Sequence, residues 1–256
     1  MIPCSVFIVA QDEANNIERV LRSVSDFAQV LVVDSGSTDN TVALAEAMGA
    51  EVIHQDWLGY AGQKQFALSL CQQDWVLNLD ADEALTPECI AVIKQTIIRN
   101  DIAALRFARN DIFMNQLPNK WMKKPNNLRL YRRQLAHFDT SEQVHESAIV
   151  EGKEIRTQVA FTHFGYNRID ALVAKNNLYS SFRAEDKFAR NKRPSLIKLA
   201  LVLPFTFLQK YFLQGRITNG KRGLILATID AFYAFLKEAK LWEKYLVDSD
   251  PNKKSK

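Results

Sequence analysis

Three carboxylates crowd the end of one apolar run: Trp75-Val76-Leu77-Asn78-Leu79 leads into Asp80, Ala81, Asp82 and Glu83. The run predicts a short buried strand over 75–79. In open α/β sheets, chemistry collects at the carboxyl ends of such strands. If the strand continues, Asp80 and Asp82 point to one face. There they can share a hard cation, since Mg²⁺ and Mn²⁺ take carboxylate oxygens together with substrate phosphates. The competing reading is a solvated turn before a helix, with Thr86 as N-cap and Pro87 at the first helical position. A second acidic strand end favours the cation. The run 30–33 also stops at a carboxylate, Asp34, and Gly36 just beyond it suits a tight turn.

Apolar runs predict further strands at 5–10, 51–54, 103–109 and 128–132, and helical spacing predicts helices from about 15, at 41–48, 62–71 and 86–98. Strands alternating with helices argue for a parallel sheet covered on both faces. Regularity breaks down over 110–166. That stretch holds a Lys120-Trp121-Met122-Lys123-Lys124 loop between two prolines, the arginines Arg129, Arg132 and Arg133, Val144-His145-Glu146, and His163. Beyond 167 the pattern is helical almost to the end. A body over 1–167 and a helical extension over 168–256 are therefore expected. No G-x-G-x-x-G follows the first strand, which argues against a nicotinamide cofactor, and no G-x-x-x-x-G-K-[ST] is present.

At 256 residues, with 47% hydrophobic and 24% charged, the chain can bury a sizeable core. The charge is uneven. The body carries 15 Lys+Arg against 21 Asp+Glu, and the extension 18 against 8. A basic tail on a neutral-to-acidic body suggests an anionic surface as its partner. Cys4, Cys71 and Cys89 lack metal-ligand spacing and are expected to be buried free thiols. The N-terminus lacks a basic n-region, so no secretory signal is expected.

An acidic cleft of Asp34, Asp80 and Asp82 repels phosphates unless a divalent metal reverses the sign. With one, it fits a nucleotide diphosphate. At this point the sequence resembles a family 2 glycosyltransferase of the nucleotide-diphospho-sugar fold called GT-A. The resemblance rests on Ile8-Val9-Ala10-Gln11-Asp12-Glu13, Val32-Val33-Asp34-Ser35-Gly36-Ser37-Thr38-Asp39-Asn40-Thr41 and Leu79-Asp80-Ala81-Asp82-Glu83. Leu130-Tyr131-Arg132-Arg133, Val144-His145-Glu146, Thr162-His163-Phe164 and Ala239-Lys240-Leu241-Trp242 narrow it to bacterial lipopolysaccharide inner-core β-1,4-glucosyltransferases. Gln11-Asp12-Glu13 stands where an Asn-Glu pair is usual in the family.

The resemblance implies an α/β fold: a mostly parallel, Rossmann-like sheet flanked by helices, with a helical C-terminal extension. It divides 1–167 into a donor half, about 1–109, and an acceptor half, about 110–167. It implies that Asp34 contacts the uracil or ribose, that Asp80 and Asp82 hold the diphosphate with Asp82 the direct ligand of Mg²⁺ or Mn²⁺, and that Glu13 and Lys64 contact the donor. An inverting transferase needs a base opposite the leaving diphosphate. Glu146 is the choice, and Glu83 competes, although its link to the following helix favours capping. His145 is the candidate for a further metal ligand, and His163 reads as structural. Arg129, Arg132 and Arg133 either face phosphates or guard an edge strand. Trp121 and its lysines either meet an anionic acceptor or are simply solvated.

The implied reaction is transfer of a hexose, with glucose from UDP-glucose favoured, to a heptose of the lipopolysaccharide inner core. The alternatives are another UDP-sugar-dependent envelope polysaccharide or glycolipid transferase, a sugar nucleotidyltransferase, or a non-catalytic, membrane-docked nucleotide-sugar binding protein. The nucleotidyltransferase should carry a Gly-rich basic loop after the first strand, which residues 11–16 do not supply. Nucleic acid is not an expected partner. The uncharged run 199–209 contains Pro204 and is too short to span a bilayer. With its basic flanks it fits an interfacial anchor, or else a helical subdomain packed on the sheet. The expected location is cytoplasmic, peripheral on the inner face of the bacterial inner membrane.

Overall fold

Apolar residues on both sides of a strand require cover on both sides, and the first half of the chain supplies it. In the computed structural model, which describes residues 1–140, 147–166 and 169–248, strands alternate with helices. They run β1 (Ile2–Ala10), α1 (Ile17–Ser23), β2 (Phe27–Asp34), α2 (Thr41–Ala47), β3 (Glu51–His54), α3 (Tyr60–Leu70) and β4 (Trp75–Asp80). Val6 and Ile8 of β1 pack with Val20 and Leu21 of α1, while Phe7 between them packs with Ala67 and Leu68 of α3. The four strands are parallel in the order β3-β2-β1-β4. The chain moves outward from β1 to β3, then returns to the far side of β1 to lay down β4. That reversal opens a crevice at the carboxyl ends of β1 and β4, where ligands bind in open α/β sheets.

After β4 come β5 (Glu83–Ala84), α4 (Pro87–Ile97), β6 (Ala104–Phe113), β7 (Asn126–Arg132), β8 (Ala136–His137), β9 (Ile149–Val150) and β10 (Glu154–Tyr166). Here the expectation of parallel strands needs correction. β4 with β7, β6 with β7, and β10 with β5 all pair antiparallel, and the sheet continues as β4-β7-β6-β10-β5. The result is a mixed sheet of eight strands, with β8 and β9 as a separate ribbon. β7 lies inside the sheet, so its arginines are not edge guards. β4 ends at Asp80 and Ala81-Asp82 form a turn, so the two aspartates do not share a strand face. Thr86 caps α4 by accepting from the Cys89 amide, with Pro87 in the first turn, as expected. Cys4, Cys71 and Cys89 are free and buried.

The chain forms two compact units: residues 1–112 with 124–165, and residues 113–123 with 166–256. The second unit is built on α5 (Ile169–Ala189), α6 (Leu196–Leu208) and α7 (Gly220–Asp248). Ala227, Ala231, Ala234, Glu238 and Leu241 recur on α7 at spacings of four and three and are buried, the pattern of a packed helix seam. Lys187 and Lys198 both pair with Glu238. Lys240 donates to Asn177, Ser180 and Ser181. Within the same unit, the 113–123 loop is tied down by Asn119 N donating to Asn219 Oδ1 at 2.8 Å and Lys123 N to Gln214 O at 3.1 Å.

Candidate active site

Two loops at the carboxyl edge of the parallel strands are laced together. The Asp12 carboxylate accepts from the Thr38 amide at 2.7 Å, the Ser37 hydroxyl accepts from the Asp12 amide, and the Asp39 carboxylate accepts from the Ala14 amide. Asp12 takes a left-handed conformation to do this. Glu13 donates its amide to Thr41 Oγ1 and accepts from the Asn16 side chain. Asp34, nearly buried, accepts from the amides of Gly36 at 3.0 Å and Ser37 at 3.1 Å, with His54 Nδ1 3.6 Å away. Burial works to raise its carboxyl pKa, but the Ser37 and Gly36 donors prevail and hold it below the usual range. Gly36 sits at φ +94°, which an L side chain rarely adopts.

Asp80 faces two cations. Lys64 Nζ on α3 donates to Oδ1 at 3.0 Å, and Arg129 Nη2 on β7 donates to Oδ2 at 2.6 Å. Burial alone would raise the Asp80 carboxyl, but Arg129 and Lys64 together hold it far below the carboxylate range. The same Arg129 nitrogen donates to Glu83, whose other oxygen accepts from the Asp80 amide at 3.2 Å. Glu83 is 1% exposed. Burial, reinforced by the Asp80 charge, pushes it up to about 7 against the pull of Arg129. The expectation that Glu83 caps the next helix is therefore wrong. It is a β5 residue that anchors a buried arginine, and a group so enclosed is poorly placed to receive an acceptor proton.

Asp82 looks elsewhere. Its Oδ2 lies 3.2 Å from His163 Nε2, and His163 Nδ1 lies 2.8 Å from Asp111 Oδ1, which also pairs with Arg109 at 2.8 Å. Burial works to lower the His163 pKa, but the bonds to Asp111 and Asp82 outweigh it and bring it to about 9. A carboxylate on one ring nitrogen with a ligating atom at the other is how proteins orient a metal-binding imidazole. Carboxylate oxygen and imidazole nitrogen suit Mn²⁺. Gly165 keeps the spot clear: a Cβ there would lie 2.5 Å from Asp82 Oδ2 and 2.7 Å from His163 Nε2. Among the described residues no three His, Cys, Asp or Glu side chains are grouped to hold a metal ion. The donor set fits a cation that displaces the Nε2 proton of His163 and whose remaining positions are filled by phosphate oxygens.

The sequence reading missed Asp111 and Arg109 and gave His163 only a structural part. The available signal was the polar triplet Arg109-Asn110-Asp111, which falls in a strand whose first half is largely buried. Of the expected phosphate arginines, Arg129 joins the acidic cluster and Arg132 does not. Arg132 pairs with Trp75 at the opposite end of β4, donates to the carbonyls of Ile102 and Arg99, and stacks over the Trp75 ring. Trp121 belongs to the second unit, is 72% exposed, and has Lys120 over its ring. His145 and Glu146 lie outside the described residues.

A family model described as Glycosyl transferase family 2 matches residues 5–150, the stretch from β1 through β9. The chain belongs to glycosyltransferase family 2. It is 34% identical to the lipopolysaccharide core biosynthesis glycosyltransferase LpsC of Rhizobium meliloti, over 98% of this chain and 96% of that one. It is 36% identical to an uncharacterized glycosyltransferase of Rickettsia bellii, over 93% of this chain and 86% of the relative. Among solved structures, residues 1–349 of S. aureus TarS superpose with a TM-score of 0.51 at 14% identity, covering 93% of this chain and 90% of that one. The fold is thus the GT-A fold, with a helical C-terminal segment. Asp80 at the end of β4, the Ala81-Asp82 turn and the Asp34 loop lie at the carboxyl edge of the parallel strands.

Gly165→Ala provides a direct test of the room at Asp82. The added methyl must displace Asp82 or His163, since contacts under 3.0 Å are not tolerated. Transfer is expected to fall roughly 100-fold, the order of loss that follows a misplacement of about 1 Å, with the melting temperature lowered only slightly. An alanine variant with full activity would show that the Asp82–His163 spacing is not needed.

Proposed function

We propose that the chain is an inverting, divalent-metal-dependent glycosyltransferase that moves a hexose, glucose from UDP-glucose, to a heptose of the lipopolysaccharide inner core. The observation that carries this reading is the placing of Asp34, Asp80 and Asp82 at one edge of the sheet beside the crevice. The relationship to LpsC of Rhizobium meliloti, a lipopolysaccharide core biosynthesis glycosyltransferase, supports a lipopolysaccharide core acceptor. The TarS structure solved in complex with UDP, at a TM-score of 0.50, supports a uridine nucleotide donor.

The geometry supports the following roles. Asp34 shapes the loop that would receive the uracil or ribose, with Glu13 beside it. Lys64 and Arg129 neutralise Asp80 and hold it still. Asp82, with His163 behind it, would hold a divalent cation against the donor diphosphate. That cation, when bound, supplies positive charge that offsets the negative charge of the leaving diphosphate. Asp111 and Arg109 fix the His163 ring, so that Nε2 faces Asp82.

Glu146 takes the acceptor proton in this reading. Glu146→Gln keeps the shape and removes the basic oxygen. Turnover is expected to fall by roughly 100-fold or more, with donor affinity little changed. If donor affinity drops while turnover survives, Glu146 is a binding residue and the base lies elsewhere. For the reaction itself, UDP release should be measured across a panel of nucleotide sugars, with and without delipidated core oligosaccharide. Release from UDP-glucose that depends on the oligosaccharide supports the proposal. No acceptor-dependent release from any nucleotide sugar would overturn it.

A further inference from the structure

A helix in a soluble unit hides its apolar stripe, yet no residue of α6 is fully hidden. None of its thirteen residues is buried. Ile197, Leu201, Phe205, Leu208 and Phe212 follow one another at spacings of four, four, three and four, and each is about half exposed or more. The stripe crosses from α6 into the π-helical turn Gln209–Leu213. Leu196–Leu213 is therefore one apolar helical stretch of 18 residues with a mean hydropathy of 1.5 and no buried residue. The expected run of 199–209 was too short because it stopped at Lys198 and Lys210, and the helix continues through both.

We propose that this face of α6 lies flat in the surface of an anionic phospholipid bilayer and docks the chain there. Charge complementarity selects the occupant. From residue 190 to 229 the chain carries eight Lys or Arg and no Asp or Glu. Some of these cations are spent inward: Lys198 pairs with Glu238 at 3.1 Å, Lys210 with Asp230 at 3.5 Å, and Arg216 with Asp230 at 2.7 Å. Those pairs tie α6 and the two turns that follow it to α7 and leave the apolar stripe outward. Lys192, Arg193 and Lys221 are exposed, and together with Arg222 they make no ion pair among the described residues. They are available for lipid phosphates beside the apolar stripe.

By length and composition alone the stretch could cross a membrane, but the ion pairs argue for a helix in the plane. A span would carry the charged contacts to Glu238 and Asp230 into hydrocarbon. An apolar face bordered by basic residues is the pattern of an interfacial helix. The proposal does not depend on the identity of donor or acceptor.

The test is co-sedimentation of the full chain with vesicles of equal parts phosphatidylcholine and phosphatidylglycerol, against pure phosphatidylcholine, at low and high salt. Binding to the mixed vesicles is expected, weakened but not lost at high salt, since screening acts on the charges and not on the buried apolar surface. Reversing Arg193, Lys221 and Arg222 to Glu should lower the partition coefficient at least about 100-fold at low salt, at about fivefold for each basic residue lost. Phe205→Glu with Leu208→Glu should lower it at every salt concentration. Phe205→Trp, a conservative change, carries the test if the charged variants misfold. Its added fluorescence should be quenched by brominated-chain lipid in the mixed vesicles. Four outcomes would each overturn the proposal: no sedimentation with mixed vesicles at low salt, no quenching above wild type at position 205, resistance to alkaline carbonate extraction as a span would show, or a lipid-free dimer that Phe205→Glu dissociates.

Discussion

Asp82→Ala is expected to lower transfer at least ~1000-fold, the equivalent of several kcal/mol of lost transition-state stabilisation, while the protein stays folded. The asymmetry follows from its position. The side chain sits in a turn beyond the last residue of β4 and touches His163. The backbone contact that fixes the turn, Phe164 N to Asp82 O at 2.8 Å, survives the substitution. What disappears is the oxygen that faces the imidazole. Transfer rate and thermal melting, measured on the same preparation, check the prediction. Excess chelator should reproduce the loss in the wild type, and Mn²⁺ or Mg²⁺ should reverse it. Full activity in chelator would remove the metal from the mechanism and leave Asp82 a purely protein-bound role.

Arg129→Met should do the opposite, damaging the fold first. Arg129 is buried and its guanidinium serves Asp80 and Glu83 at once. Removing one partner of a buried ionic cluster costs about 3–5 kcal/mol, because the remaining charge is left uncompensated. In a protein of this size that lowers the melting temperature by roughly 10 °C. The cost has a pH signature. Glu83 already titrates at about 7 owing to burial and the Asp80 charge. Without Arg129 its pKa can only rise, so it accepts a proton and sheds its charge as pH falls. The gap in stability between Arg129→Met and wild type should therefore widen as pH rises above about 7, where Glu83 becomes charged in wild type but stays protonated in the variant, and be smaller at and below 7. Arg129→Met combined with Glu83→Gln should recover part of the loss at pH 8. Equal destabilisation by Arg129→Met at every pH would mean that the arginine acts through packing alone, its 5.6 Å approach to the Phe161 ring included.

The first hundred residues were largely legible from their pattern. β1 to β4, α2, α3 and α4 came out within a few residues of their predicted bounds because each is specified locally, by an apolar run or a 3.6-residue period. The Thr86–Pro87 start of α4 is a local signal too, since the cap and its amide lie three residues apart. The buried thiols followed from their apolar neighbours. The acidic strand ends at Asp34 and Asp80 marked the carboxyl edge of the parallel strands because strand and carboxylate are adjacent in sequence.

The rest depended on contacts that no local pattern encodes. Periodicity is the same for a strand read in either direction, so it could not reveal that β7 turns back against β4. That reversal brings Arg129 beneath Asp80, 49 residues away in the chain, and turns Glu83 from a helix cap into a buried anchor. The division of labour between Asp80 and Asp82 had the same cause: the strand stops at Asp80, so the two side chains find different partners, Lys64 and Arg129 for one and His163 for the other. Asp111 and His163 meet because β6 and β10 are neighbours in the sheet, a pairing across 52 residues. On α6 the sequence determined an apolar helix with basic flanks. Only the tertiary structure decided which side faces out, because the ion pairs to Glu238 and Asp230 tie α6 and the two turns that follow it to α7.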